Sequence, residues 1–222
     1  MTGPAVLVTV VDTPSGPAVV HRTGPAGAPL LVLGHGAGGG PGALTTPDLR
    51  SAAAAAEELG WAWALVQQPW HVAGRRVAEA PGRLDAAWLA VLARLERTVV
   101  VGGRSAGARV ACRTSTASGA AGVLALAFPL TPRGRPGRSR ADELALPRAP
   151  VQVVQGSRDA FGVPEPATGR RVHVVAGADH GFRVRVRDGR SPAEVERELQ
   201  AVVRGFLCGV DPRGPGKKPA PG

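Results

Sequence analysis

Short segments made mainly of apolar residues alternate along this chain with longer segments in which apolar residues recur every three or four positions. The runs are rich in Val, Leu and Ala and end at glycine or at polar residues, which is typical of strands buried on both faces of a sheet. They lie at residues 30–33, 61–66, 98–101, 123–127, 151–155 and 171–175. Strands that alternate with helices predict an α/β domain with a mainly parallel sheet and helices on both faces.

Two Val-rich segments precede these runs, at residues 5–11 and 17–22, on either side of Pro14-Ser15-Gly16. Two extended segments joined by such a turn predict an antiparallel hairpin. We expect this hairpin at the edge of the sheet.

The helices have recognisable starts and apolar faces. Thr46-Pro47-Asp48 predicts an N-cap followed by proline at the first helical position, in a helix that ends at residue 59. A second helix is predicted from the apolar face of residues 84–95, where we interpret Trp88 as a core residue. The last helix begins at the capping box Ser191-Pro192-Ala193-Glu194.

Two polar stretches lie outside this pattern. Residues 129–147 hold four arginines among prolines and glycines, and a connection of that length is a binding loop, a lid or disordered. We interpret it as a mobile loop at the entrance of a site, with surface disorder as the alternative. Residues 210–222 are predicted to be a disordered Pro/Gly/Lys tail. Residues 1–209 then form one domain with a minimal lid.

Composition narrows the class of protein. The chain has 222 residues, 44% of them hydrophobic, and a mean hydropathy of +0.02, which is typical of a globular domain. No apolar run approaches the ~18 residues of a membrane span, and no secretory signal is recognisable, so we expect a cytoplasmic protein with no membrane partner. Cys112 and Cys208 fall inside predicted helices, where we expect small buried hydrophobes and no metal ligands.

The net charge of +10 raises the question of nucleic-acid binding. Lys217 and Lys218 are the only lysines, and the arginines are scattered through every segment without stacking aromatics between them. A dedicated nucleic-acid surface groups its basic residues and interleaves aromatics. We therefore expect non-specific attraction to polyanions and no dedicated nucleic-acid partner.

The strongest chemical signal surrounds Ser105. A β-branched run stops at two glycines and small residues then restart the chain as a helix, so the serine lies at the apex of a strand-turn-helix. The segment Gly103-Arg104-Ser105-Ala106-Gly107 reads G-x-S-x-G. Glycines without a Cβ let neighbouring backbone crowd a serine held in a strained conformation, which is the geometry of a nucleophile elbow. An ordinary Gly-Ser turn is the alternative.

A serine nucleophile needs a base and a third group that orients the base. His180 follows the last predicted strand, and Asp159 follows the strand before it, so the chain order is serine, acid, histidine. We predict Ser105, Asp159 and His180 as a catalytic triad. Asp142, Glu143 and Asp179 are rival acids.

Two backbone amides are expected to stabilise the oxyanion of the tetrahedral intermediate. One belongs to Ala106, at the start of the helix, and the other to Ala37, beside glycines 38–40. We interpret His35 as a residue that orients this second loop. The chain has neither G-x-x-x-x-G-K-[ST] nor G-x-G-x-x-G spacing, so no nucleotide is predicted, and we expect neither a metal nor another cofactor.

Three residues are candidates for substrate binding. Trp70 and His71 lie in the predicted loop after residues 61–66 and are expected to border the acyl or leaving-group pocket, with a surface cluster as the alternative for Trp70. Arg104 either meets an anionic group of the substrate or pairs with a structural carboxylate.

The chain resembles the α/β-hydrolase superfamily, and within it the small dienelactone-hydrolase-like proteins grouped with testis-expressed protein 30 and the non-specific-lethal complex subunit 3. The resemblance covers residues 5–208 and implies the triad named above. Dienelactone hydrolase proper has a cysteine where this chain has Ser105, which argues against dienelactone as the substrate. The segments that carry the resemblance are His35-Gly36-Ala37-Gly38-Gly39, Gly102-Gly103-Arg104-Ser105-Ala106-Gly107-Ala108-Arg109, Gly156-Ser157-Arg158-Asp159 and Asp179-His180-Gly181-Phe182.

These features predict a serine hydrolase of the esterase type that cleaves a carboxylic ester, or a related acyl bond, of a small molecule. Members of the resembled group are also subunits of complexes. A catalytically inactive α/β-hydrolase-fold interaction module is therefore the alternative hypothesis.

Overall fold

The computed structural model of the protein describes residues 5–38, 40, 42–132, 137–211 and 213. Within these residues eight strands form one sheet flanked by six α-helices. The strands are β1 (Leu7–Thr13), β2 (Gly16–Thr23), β3 (Leu30–Gly34), β4 (Ala62–Gln67), β5 (Thr98–Arg104), β6 (Gly122–Leu126), β7 (Val151–Gly156) and β8 (Arg170–Val175). The helices are α1 (Pro47–Glu58), α2 (Pro69–Val72), α3 (Pro81–Leu92), α4 (Ala106–Ser118), α5 (Ala141–Ala145) and α6 (Pro192–Cys208).

The strand order across the sheet is β1-β2-β4-β3-β5-β6-β7-β8. β1 and β2 form the predicted antiparallel hairpin at one edge, β2 is also antiparallel to β4, and every pair from β4 to β8 is parallel. The predicted α/β class is confirmed. β5 lies between β3 and β6, so its carboxyl end opens at the middle of the edge where ligands bind in α/β proteins.

Each face of the sheet has its own core. Along β3, Leu30 and Val32 belong to one core and Leu31 and Leu33 to the other, because successive side chains of a strand point to opposite faces. The first core takes in residues of α2, α3 and α4, among them Trp88, which is 1% exposed as predicted. The second takes in residues of α1 and α6.

The helix starts at α6 and α1 follow the sequence signals. At α6, Ser191 Oγ accepts from Glu194 N at 3.2 Å and Glu194 Oε2 accepts from Ser191 N at 2.7 Å, which confirms the capping box. At α1, Thr46 is the N-cap residue as predicted, although its side chain makes no capping hydrogen bond. The position after Thr46 is still a proline, whose fixed φ suits the first helical turn.

Two local predictions are corrected. The predicted loop after β4 contains α2, which begins at Pro69 because proline is favoured at the first position of a helix. Cys112 is buried as expected, whereas Cys208 is exposed at the end of α6.

The polar stretch after β6 has more structure than predicted. Its described part includes α5, where Leu144 is 2% exposed. Arg133 and Arg135 lie outside the described residues, as does most of the predicted tail at 210–222. Among the described helices, we find none that combines the length and the apolar character of a membrane span.

Candidate active site

Ser105 lies between β5 and α4 with φ 52° and ψ −107°, a backbone conformation that non-glycine residues seldom adopt. Its amide donates to Leu126 O at 2.9 Å, which ties the turn to the end of β6. A Cβ on either Gly103 or Gly107 would overlap the carbonyl oxygen of Gly34. The two glycines therefore allow β3 to pack against the turn that exposes the serine.

The three residues predicted from chain order meet at the carboxyl ends of the strands. Ser105 Oγ lies 3.1 Å from His180 Nε2, and Asp159 Oδ2 lies 2.8 Å from His180 Nδ1. The Asp159 side chain has 0% exposure and that of His180 has 24%. A buried carboxylate that accepts from Nδ1–H leaves Nε2 free to take the serine proton.

Two residues that the sequence analysis did not identify hold this arrangement. Gln155 Nε2 donates to Asp159 Oδ2 at 2.7 Å, and Phe161 N donates to Asp159 Oδ1 at 2.9 Å. The Phe161 ring lies 4.5 Å from the His180 ring, centroid to centroid. The sequence signal for Gln155 is its position, since each of the two glutamines in the buried strand β7 needs a polar partner, and Gln155 is the one at the carboxyl end.

The rival acids have other roles. Glu143 pairs with two arginines of α4, which are Arg109 and Arg113. Asp179 Oδ1 accepts from the amides of Gly181 and Arg183 and so shapes the turn around His180. Asp142 is exposed on α5.

The predicted oxyanion donors border the same cleft as the serine. Ala106 begins α4 directly after Ser105, and Ala37 lies in the loop after β3. Neither amide donates a hydrogen bond to any of the described residues, as the predicted oxyanion role requires.

His35 fixes the loop after β3, as the sequence analysis expected. Its Nε2 accepts from Gln68 N at 3.1 Å, and its Nδ1 lies 2.7 Å from Gly36 O, so Nδ1 carries the proton. The ring is 3% exposed. Burial lowers the pKa of His35 to about 4, so the imidazole is neutral when it makes these contacts.

Trp70 and His71 lie outside the described lining of the cleft at Ser105. Trp70 is 2% exposed, so it is not part of a surface cluster; its ring packs against His35, and it lines a small second pocket together with Ala106 and Gly107. His71 Nδ1 accepts from Gln67 Nε2 at 2.8 Å and its Nε2 donates to Gly40 O at 3.2 Å. These contacts give both side chains a structural role, and substrate binding by them stays a prediction.

Arg104 also has structural partners. Its Nε lies 3.1 Å from Asp48 Oδ2, and its Nη2 donates to the carbonyl oxygen of His180 at 2.9 Å. The Asp48 side chain is 1% exposed, and burial raises its pKa while the Arg104 charge lowers it. Of the two interpretations of Arg104, the geometry favours the pairing with a carboxylate.

An open cleft of about 810 Å³ leads to Ser105. Ala37, Ala106 and Phe161 line it together with Ser139 and three prolines, which are Pro81, Pro129 and Pro132. The described lining also includes four charged residues, which are Arg109, Arg138, Arg140 and Glu143.

An α/β fold with a serine elbow and a histidine and acid after later strands defines the α/β-hydrolase class. The model of the alpha/beta hydrolase domain family matches residues 27–207. The chain belongs to this family. A search among curated proteins found no match.

Solved structures share the fold over nearly the whole chain. A Xanthomonas campestris protein described as an α/β serine hydrolase without lid is 18% identical, covers 93% of this chain and 97% of its own, and has a TM-score of 0.68. Est1E from Butyrivibrio proteoclasticus is 14% identical over 91% of this chain and 98% of its own, with a TM-score of 0.66. A dienelactone hydrolase from Anabaena variabilis is 15% identical over 93% and 99%, with a TM-score of 0.65.

Proposed function

We propose that the protein is a serine hydrolase that cleaves a carboxylic ester, or a related acyl bond, through an acyl-Ser105 intermediate. The observation that carries the proposal is the continuous contact from Ser105 through His180 to Asp159 in a chain of the α/β hydrolase family. The Xanthomonas protein, an α/β serine hydrolase, and an esterase from Pyrobaculum calidifontis share the fold and support the same proposal.

In this mechanism His180 Nε2 takes the proton of Ser105 as Oγ attacks the acyl carbon. Asp159 keeps the proton of the imidazole on Nδ1 and stabilises the imidazolium that forms. His180 then gives its proton to the leaving group, and a water deprotonated by the same nitrogen releases the acid. The amides of Ala37 and Ala106 stabilise the oxyanion, each by about 3 kcal/mol. None of these steps uses a cofactor.

We further propose that the chain belongs with the small dienelactone-hydrolase-like esterases that it resembles in sequence, with a substrate other than dienelactone because its nucleophile is a serine. A cytoplasmic location and the lack of a dedicated nucleic-acid partner stay predictions from the sequence.

The experiment measures p-nitrophenyl acetate hydrolysis and fluorophosphonate labelling in the purified protein. We expect Ser105→Ala to lose labelling and to lower kcat by at least about 1,000-fold. Ser118→Ala, at the far end of α4, is the matched control and keeps both. A folded wild-type protein that neither labels nor hydrolyses the ester would favour the interaction module, and an active Ser105→Ala variant would remove the mechanism.

A further inference from the structure

The cleft beside Ser105 carries an excess of positive charge. Among the described residues that line it, three are arginines and one is an acid, Glu143. A cleft with one sign of charge attracts ligands of the opposite sign.

Glu143 does not balance these arginines, because it is already paired. Arg109 Nε and Nη2 donate to its two carboxylate oxygens at 2.7 and 2.6 Å, and Arg113 Nη1 donates to Oε2 at 2.9 Å. Arg113 also binds Asp85, with contacts of 2.8 and 2.6 Å. Two acids thus offset two arginines, and the charges of Arg138 and Arg140 are left over.

The contacts of Arg138 and Arg140 agree with this excess of positive charge. Arg140 Nη1 donates to the neutral carbonyl oxygen of Pro129 at 3.0 Å. Burial, and then the charge of Arg109, lower the pKa of Arg140, and the Glu143 carboxylate raises it by less. Arg138 is exposed and has no carboxylate within 4.0 Å among the described residues.

We propose that the substrate is an ester that carries a second, anionic group, a carboxylate, which pairs with Arg138 and Arg140 while its acyl carbon lies at Ser105. This inference rests on the proposed hydrolase function and names its substrate class. Arginine suits the task because its planar guanidinium donates to both oxygens of a carboxylate. Pro129, Pro132 and Phe161 line the same cleft and offer apolar surface to a spacer between the two groups.

The test uses two pairs of esters that differ only in a carboxylate or a neutral carboxamide. The mono-p-nitrophenyl ester of adipic acid and its amide counterpart place the charge on the acyl side. p-Carboxyphenyl butyrate and p-carbamoylphenyl butyrate place it on the leaving group. We expect kcat/KM to favour the anionic ester of at least one pair by about 10-fold, and the ratio to fall as added salt screens the charges.

Arg138→Gln should lower this anionic preference by about 10-fold, and Arg138→Glu should invert it. Arg94→Gln removes an equal charge from an exposed site at the end of α3, far from the cleft, and is the matched control that keeps the preference. Equal kcat/KM values within both pairs in the wild type, or an equal loss of preference in Arg94→Gln, would overturn the inference.

A binding measurement separates this inference from the hydrolase proposal. We expect the inactive Ser105→Ala variant to bind the adipate monoester about 10-fold more tightly than its amide counterpart in calorimetry, and the additional Arg138→Gln change to abolish the difference. If no ester is hydrolysed but this difference is found, the hydrolase proposal fails and the anion site stands. If neutral esters are hydrolysed and no difference is found, the anion site alone fails.

Discussion

Two walls of the Ser105 site are built in different ways. On the wall formed by β3, β5 and their loops, backbone packs against backbone at Gly34 and Gly107, and buried hydrogen bonds hold His35. On the wall formed by the segment after β6, partly buried ion pairs connect Glu143 to the arginines of α4, and Arg138 is exposed. The nucleophile and its oxyanion donors need fixed positions. A surface that selects the substrate can instead be formed by charged side chains, which can be substituted without changing the backbone.

The largest expected effect comes from breaking the first wall at Gly107. A Cβ there would overlap Gly34 O and would lie 2.9 Å from His35 O, both backbone atoms that cannot move independently. We expect Gly107→Ala to lower the free energy of unfolding by about 4 kcal/mol and to abolish ester hydrolysis, measured by urea unfolding and steady-state kinetics.

Gly205 of α6 is the matched control for this change. A Cβ at Gly205 meets nothing within 4 Å, so Gly205→Ala should gain up to about 1 kcal/mol from helix propensity. Equal stabilities of the two variants would show that the contact between β3 and α4 is not a tight one.

The difference between the two walls also explains which features of the site could be predicted from the sequence. The elbow and the order of Ser105, Asp159 and His180 follow from local signals, because a strand, a turn and a helix within a few residues leave a readable pattern. Their mutual contact was then expected from the parallel sheet, whose strands end along one edge.

Other features depend on pairs of residues that are far apart in the chain. Nothing near Arg104 indicates that its partner is Asp48, more than fifty residues earlier, since any buried carboxylate would serve. The position of Trp70 after a strand predicts a place near the pocket, but not that the proline before it starts a helix in which the indole packs against His35. Charge pairs and ring orientations of this kind are decided by tertiary packing.

The second-largest expected effect comes from breaking the buried ion pair between Arg104 and Asp48, which lies under the first wall. Arg104→Met would leave the Asp48 carboxylate buried without its cation and would remove the donor to the carbonyl of His180. Because breaking a buried pair leaves an uncompensated charge, we expect a loss of about 3 to 4 kcal/mol in the free energy of unfolding, together with a lower kcat.

Arg50→Met is the control for Arg104→Met. Arg50 pairs with Glu196 on the surface, where their side chains are 60% and 43% exposed, and such pairs contribute about 0 to 1 kcal/mol. If Arg50→Met costs as much as Arg104→Met, the burial of Asp48 is not what makes the Arg104 pair important. If the double variant Arg104→Met with Asp48→Leu recovers stability but not kcat, the donor to His180 has a separate positioning role.

The smallest effect is a pH dependence caused by His35. In the unfolded chain its imidazole takes a proton near pH 6.5, whereas burial lowers the pKa in the folded protein to about 4. Between these values the unfolded state binds more protons, so the stability contributed by neutral His35 is present above pH 6.5 and is lost as the pH falls toward 4. We expect the wild type to lose about 2 to 3 kcal/mol more than His35→Gln over this range in urea unfolding followed by tryptophan fluorescence.

The His35→Gln variant starts from a lower stability at neutral pH, because the contacts to Gln68 and Gly36 are weakened, so the two stability curves converge in acid. Parallel curves would mean that the His35 imidazole takes up a second proton as readily in the folded protein as in the unfolded chain, and the contrast between the buried loop around His35 and the charged, open wall after β6 would then no longer hold.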